Sequence, residues 1–222
     1  MTQKVKDTKF GVCFLSVDKK RTHNKRFTKL EKYLKNLNWW KSLSQQWRQA
    51  FGISVMRHEN NPSETEFEML MNLQVLRLAG PSAPFPNCSI ELTNLSGLSA
   101  MSKLETIIIT HHKIKAIEEI AALSQLKSLF LFNNQIKSLK GIEGLYNLEQ
   151  LYVQCNRIET IKEVEALVNL RELYISNNNI TSLNGLTEAH SDKLKKFVCL
   201  PNEQLKQKEI IHVERELGII CR

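Results

Sequence analysis

Residues 126–147 read LKSLFLFNNQIKSLKGIEGLYN. An extended chain sends successive side chains to opposite faces, so Leu129 and Leu131 share one face while Phe130 and Phe132 share the other. Both faces of this short strand are therefore apolar, yet the NNQIKSLKG around its exit has the composition of a turn. Which pair is interior decides the fold.

The neighbouring sequence answers the question. LETIIITHHKIKAIEEIAALSQ from Leu104, LEQLYVQCNRIETIKEVEALVN from Leu148 and LRELYISNNNITSLNGLTEAHS from Leu170 fall into register with it, their starts 22 residues apart. Each follows LxxLxLxxNxIxxLxxLxxLxx, as Leu148, Leu151, Val153, Asn156, Ile158, Ile161, Val164 and Leu167 illustrate. Four copies at one period are the signature of a stacked repeat architecture. Leu129 and Leu131 belong to the repeating set and face the interior. Phe130 and Phe132 then face outward.

This pattern resembles the leucine-rich repeat family, in a 22-residue form similar to the repeats of internalins and of the regulatory subunit of protein phosphatase 1. The resemblance implies an α/β solenoid, a right-handed leucine-rich repeat superhelix. LxLxx would supply a concave parallel β-sheet, and the second half of each repeat a short helical or 3₁₀ segment on the convex side. It also implies a protein-protein interaction module, and it leaves the partner unnamed because such solenoids bind unrelated targets by varying the outward columns.

The repeats extend beyond the four clean copies. LQVLRLAG (73–80) matches a strand and LTNLSGLSAMSK (92–103) a second half, separated by an insert at about 80–89 whose three prolines forbid a regular ladder. LKKFVCLPN (194–202) follows the last clean strand after a 24-residue step. Residues 73–200 thus hold about six coils. A solenoid needs its ends covered. Residues 27–72 read as a helical N-terminal cap: Leu30, Tyr33, Leu34, Leu37, Trp40, Trp47 and Phe51 recur at roughly helical intervals, with Ser44 as an N-cap and Gly52 as a stop. Ser63 and Glu66 form a capping box that offers Phe67 and Leu70 to the first coil. The NWWKSLSQQWRQAF block also resembles N-terminal caps of bacterial repeat proteins. At 201–222 a helix carrying Leu205, Ile210, Val213 and Leu217, stopped by Gly218, precedes a last short strand, GIIC. There Ile219 and Cys221 lie 22 residues after Phe197 and Cys199, which would make Cys199 and Cys221 stacked buried thiols.

Asn134, Asn156 and Asn178 fall where the chain leaves each strand and turns. An amide there can satisfy backbone groups that a bend strips from the sheet. His112 takes the place in the first clean repeat and Asn202 in the last, giving a structural ladder. His111 and His112 lack a third ligand at suitable spacing and make no metal site.

With the register fixed, one outward column is Arg77, Ile108, Phe130, Tyr152, Tyr174 and Val198. The next is Ala79, Thr110, Phe132, Gln154 and Ser176, and the preceding one Val75, Thr106, Ser128, Gln150, Glu172 and Lys196. The candidate partner-binding set on the concave face is Arg77, Ile108, Phe130, Phe132, Gln150, Tyr152, Gln154, Glu172 and Tyr174, since aromatics with polar tips are favoured at interfaces. The competing reading is that Phe130, Tyr152 and Tyr174 stack only to brace the sheet.

Charge is uneven. Residues 1–48 hold 13 Lys+Arg against 3 Asp+Glu, leaving 18 against 20 for the rest, so the net +8 belongs to the front. Residues 1–26 read as a basic, flexible arm that could meet nucleic acid or an anionic surface through phosphate contacts. The sequence shows no phosphate loop, HExxH, GxSxG or convergent carboxylate pair, so no enzyme and no cofactor is expected. Five cysteines without a CxxC argue against a disulfide framework or a zinc site. No apolar run reaches the roughly 20 residues of a membrane span. The expectation is a monomeric cytoplasmic protein-binding scaffold.

Overall fold

The computed structural model describes residues 28–222. The basic arm at 1–26 lies outside them. The chain divides into two compact units, 1–42 and 43–222. In the first, residues 28–42 are helical (α1). Trp39 and Trp40 lie with ring centroids 6.3 Å apart, and Trp40 is buried. Leu30 and Leu34 are exposed at 55% and 47%, not turned inward as their spacing suggested.

The second unit opens with α2 (Gln45–Phe51), whose N-cap Ser44 accepts from the Trp47 N–H. The α-helix ends at Gly52, its C-cap, but the winding continues beyond it. The chain widens into a π-helix, Gly52–Met56, and ends at Arg57 with φ 64°, where the His58 N–H donates to Gly52 O. Glycine is needed at 52 for closeness: a Cβ there would stand 2.7 Å from His58 O. α3 (Glu64–Met71) begins with the Ser63/Glu66 capping box and buries Phe67 and Leu70. Trp47 lies fully buried against Gly97 of the first coil, near enough that a Cβ on Gly97 would fall 2.1 Å from the indole.

Six strands then form one parallel sheet in chain order: β1 (Val75–Ala79), β2 (Thr106–Thr110), β3 (Ser128–Phe130), β4 (Gln150–Tyr152), β5 (Glu172–Tyr174) and β6 (Lys196–Val198). Arg77, Ile108, Phe130, Tyr152, Tyr174 and Val198 are paired in series, and so are Val75, Thr106, Ser128, Gln150, Glu172 and Lys196. Leu129, Leu131, Leu151, Val153, Leu173 and Ile175 are fully buried beneath them. The return segments carry 3₁₀ turns at Ser96–Leu98, Glu118–Ile120 and Lys162–Ala166, and a short helix α4 (Glu188–Ser191). The coil of residues 126–147 has only turns there. Its Gly141 sits at φ +103°, where a side chain is strained, and a Cβ would press to 2.7 Å from Glu118 Cα of the preceding coil.

The insert at 80–89 is irregular, as its prolines require, but it has a structural task. Asn87 accepts the Ala79 N–H on its side-chain oxygen (2.7 Å) and donates to Arg77 O (2.9 Å). Its backbone N–H also donates to Ala79 O. These bonds occupy the outer edge of β1, which no strand among the described residues covers, and block edge pairing.

At the other end α5 (Gln207–Glu216) buries Val213, and Leu205 before it is buried too. The expected final strand is absent: residues 218–222 have no regular structure. The expected register is also corrected. Arg222 N–H donates to Phe197 O while Arg222 O accepts from Cys199 N–H. That places Arg222 opposite Val198 and Cys221 opposite Phe197, a 24-residue step. Cys199 is buried, but Cys221 is only half-buried because it lies at the open end of the stack.

Candidate functional site

The side-chain amides that follow the strands hold the coils together. Asn134 receives the Ile114 N–H (3.1 Å) and donates to Ile109 O and Leu131 O. Asn156 and Asn178 repeat this one and two coils on, with Ile136 N–H and Ile158 N–H as donors. His112 reproduces the pattern with two ring nitrogens: Nδ1 accepts from Leu92 N–H and Nε2 donates to Leu78 O. Burial lowers its pKa, and Nδ1, which accepts a backbone N–H, carries no proton in this arrangement. Asn202 donates to Ile175 O and Cys199 O, and its oxygen takes the Asn178 N–H in place of a residue two further on, a consequence of the 24-residue step.

The backbone conformation of the residue before His112, Asn134, Asn156 and Asn178 was not foreseen by sequence reasoning. His111, Asn133, Cys155 and Asn177 all have φ between 54° and 60°. The doublets HH, NN, CN and NN carried the signal, since Asn and His tolerate the left-handed region better than most residues. A second amide row was missed as well: Asn147 donates to Ser124 O and Asn169 to Tyr146 O, both 2.8 Å.

On the outward face of the sheet the central column is continuous. Phe130 meets Tyr152 edge-on at 4.7 Å between centroids, and Tyr152 meets Tyr174 at 4.1 Å. His111 stands edge-on to Phe132 at 5.6 Å. The four aromatics are half-buried, less exposed than free-standing anchors. The strands bring them within one ring of each other, and each shields the next. Ala79, Thr110 and Ser176, expected outward in the flanking column, are buried because their short side chains sink below longer neighbours.

Polar groups tie this surface down. Ser128 donates to Gln150 (2.8 Å). The Tyr152 hydroxyl donates to Glu172, which also pairs with Lys196 at 2.9 Å. The Tyr152 bond and the Lys196 charge hold the Glu172 carboxyl below its ordinary range. Burial, followed by the same hydrogen bond, pushes the Tyr152 phenol up. Arg77, at the β1 end of the central column, spends one guanidinium N–H on Phe85 O of the insert (2.7 Å). Phe85 lies between Pro84 and Pro86 and is 81% exposed, the most exposed large apolar side chain among the described residues. Sequence reasoning gave it no role.

No group of three or more metal-ligating side chains occurs among the described residues, and no described helix is long and apolar enough to cross a membrane.

Residues 124–166 match the family model for leucine-rich repeats in two copies. The two coils over these residues are thus leucine-rich repeats, and the coils on either side stack on them in the same parallel sheet. No curated protein sequence matches the chain. Among solved structures, it is similar to an internalin (inlF) of Listeria monocytogenes, with 23% identity over 52% of this chain, 37% of that one, and a TM-score of 0.47. The match thus spans little more than a third of that internalin. It is also similar to the leucine-rich repeat ectodomain of the receptor kinase SOBIR1 of Arabidopsis thaliana (18% identity, 58% and 69% coverage, TM-score 0.48). A third similar structure is an internalin C2 (inlC2) of Listeria monocytogenes (15% identity, 80% and 93% coverage, TM-score 0.42).

Proposed function

We propose that the chain is a non-catalytic protein-binding module whose partner seats on the outward, concave face of the sheet. Leucine-rich repeat solenoids are general protein-protein interaction modules. The observation that carries the choice of face is the column Ile108, Phe130, Tyr152 and Tyr174, with Phe132 beside it. It is apolar, unbroken across four strands and half-open to solvent. The Tyr152–Glu172–Lys196 linkage and the ring stacking fix these side chains before a partner arrives, which lowers the ordering cost of binding. Gln150, Gln154 and Glu172 supply a polar margin around the column, with Arg77 at its β1 end.

Stacking also braces the sheet, and the two roles separate experimentally. Phe130→Ser with Tyr152→Ser removes two half-buried rings but no residue of the leucine core. The double variant should melt a few degrees lower, reflecting cross-strand pairs worth about 0.2–1 kcal/mol each. It should lose partner capture, because interface anchors contribute about 2 kcal/mol or more apiece. A large fall in melting temperature with capture intact would assign the rings to bracing alone.

A further inference from the structure

One rim of the sheet carries charges in sequence. Glu105, Lys127, Glu149, Arg171 and Lys195 occupy the position just before β2 to β6, and the backbone N–H of each of the last four donates to the carbonyl of the one before. The first four alternate in sign. Lys127 pairs with Glu105 at 2.7 Å and Arg171 with Glu149 at 3.2 Å. The fifth breaks the alternation, setting a cation one coil away from Arg171. Lys193 joins it from the same turn. Both ammonium groups are oriented by neutral oxygens, Lys193 by Asn169 Oδ1 at 2.9 Å and Lys195 by the Asp192 backbone carbonyl at 2.5 Å. Neither has a carboxylate partner among the described residues. With Arg171, whose charge is already met by Glu149, they border a groove of about 260 Å³ that is also lined by Glu149, Asp192 and the Asn147 and Asn169 amides, so the uncancelled positive charge there is that of the two lysines.

A lysine held in place with its charge uncancelled is suited to receive an anion, because its remaining N–H groups are already directed and unspent. The groove adjoins the binding face directly. Arg171 precedes Glu172 of the outer column, and Tyr174 of the aromatic column is three residues beyond Arg171, roughly 10 Å along a strand. From this juxtaposition we propose that the segment bound on the concave face is acidic. A carboxylate of the partner would lie against Lys193 and Lys195 while an apolar side chain about 10 Å away sits on Tyr152 and Tyr174. This deepens the proposed binding function and rests on it. The rim adds the electrostatic selection that an aromatic surface alone lacks, excluding basic segments by repulsion and speeding encounter with acidic ones.

The test is selection of random peptides displayed on phage against the full chain, followed by affinity measurement of the best synthetic peptide. The expected peptides carry Asp or Glu near an aromatic or large aliphatic residue. The Lys193→Glu, Lys195→Glu variant should bind the selected peptide at least ten-fold more weakly, and salt should weaken wild-type binding. Peptides with no acidic excess, or an affinity within two-fold of wild type in the charge-reversed variant, would overturn the inference. In the second case, loss of binding in the Phe130→Ser, Tyr152→Ser variant would leave the concave-face reading standing. Binding insensitive to both variants, or no peptide recovered, would count against both. Retention on heparin that depends on Lys193 and Lys195 without any peptide preference would replace the acidic segment with a polyanion. A thermal melt of each variant, expected within a few degrees of wild type because these lysines are exposed, ensures that the comparison is made between folded proteins.

Discussion

Replacing Trp47 with alanine tests how the first coil is closed. The side chain is fully buried, stacks on Phe51 at 5.2 Å and donates its indole N–H to both oxygens of Asn94 at 3.2 Å. Burying an aromatic of this size removes about 150–250 Å² from water. At about 25 cal/mol per Å² this contributes roughly 4–6 kcal/mol. A compact denatured state lowers the figure by roughly 10–40%. The expected loss is therefore about 3–5 kcal/mol, in line with large aromatic truncations elsewhere. Asn94 is only half-buried, so water can replace the lost indole donor at little further cost. Gly97→Ala supplies an independent check, since its Cβ would fall 2.1 Å from Trp47 Cδ2 and force the ring aside, at about 1–3 kcal/mol. The two changes should not add. Once Trp47 is alanine the clash disappears, and Gly97→Ala should cost almost nothing, a coupling of about 1–3 kcal/mol. The assay is reversible urea denaturation followed by far-ultraviolet circular dichroism on all four members of the cycle. A Trp47→Ala loss below about 1 kcal/mol, or an equal cost of Gly97→Ala in both backgrounds, would refute the packing described.

Other consequences follow from the same contacts. Asn178→Ala should cost about 3 kcal/mol by denaturant titration, because it leaves the buried Ile158 N–H and two buried carbonyls without partners. His112 is a base with a depressed folded-state pKa, so the unfolded chain takes up its proton first and stability is lost as pH falls below the ordinary value of 6.5. His112→Asn, which restores the amide found in the other coils, should reduce that slope in pH-dependent melts, leaving the share of His190, whose pKa burial also lowers. Glu66, hydrogen-bonded first to His58 and then to Ser63, has its pKa lowered to about 2. It stabilises the fold above the ordinary 4.5, and this contribution is lost as pH falls through about 2. Melts of Glu66→Gln should therefore fall below wild type at neutral pH and converge with it near pH 2. Phe85→Ser should leave the melting temperature unchanged, since the ring is mostly in water, and weaken partner capture if the insert borders the same surface.

The strand register was legible because each strand alternates inward leucines with outward residues, and a one-residue slip would expose a whole coil's core. Four in-phase copies are enough to place the central column from Ile108 to Tyr174. What escaped was set by distances that are not periodic. Gly52 ends the α-helix as its composition suggests, but its second role, letting His58 O approach, is not visible locally. The loop containing Asn87 looked like a spacer because nothing local shows that its side chain returns to the edge of β1. The terminal register was misjudged because 22-residue phasing was carried past α5, where the chain takes 24 residues to return to the sheet. The exposure of the aromatics was overstated because a column of rings shields itself, an effect visible only when neighbouring coils are stacked.

The most direct test of the concave face as the working surface is site-specific photo-crosslinking. A benzophenone amino acid would replace Phe132 on the outward sheet face or Glu165 on the opposite, convex face in otherwise identical proteins exposed to native extract. A concave-face site should give a discrete crosslinked partner from position 132, competed away by unlabelled wild type and not by the Phe130→Ser, Tyr152→Ser variant. The same partner crosslinked from position 165, with nothing from 132, would contradict it.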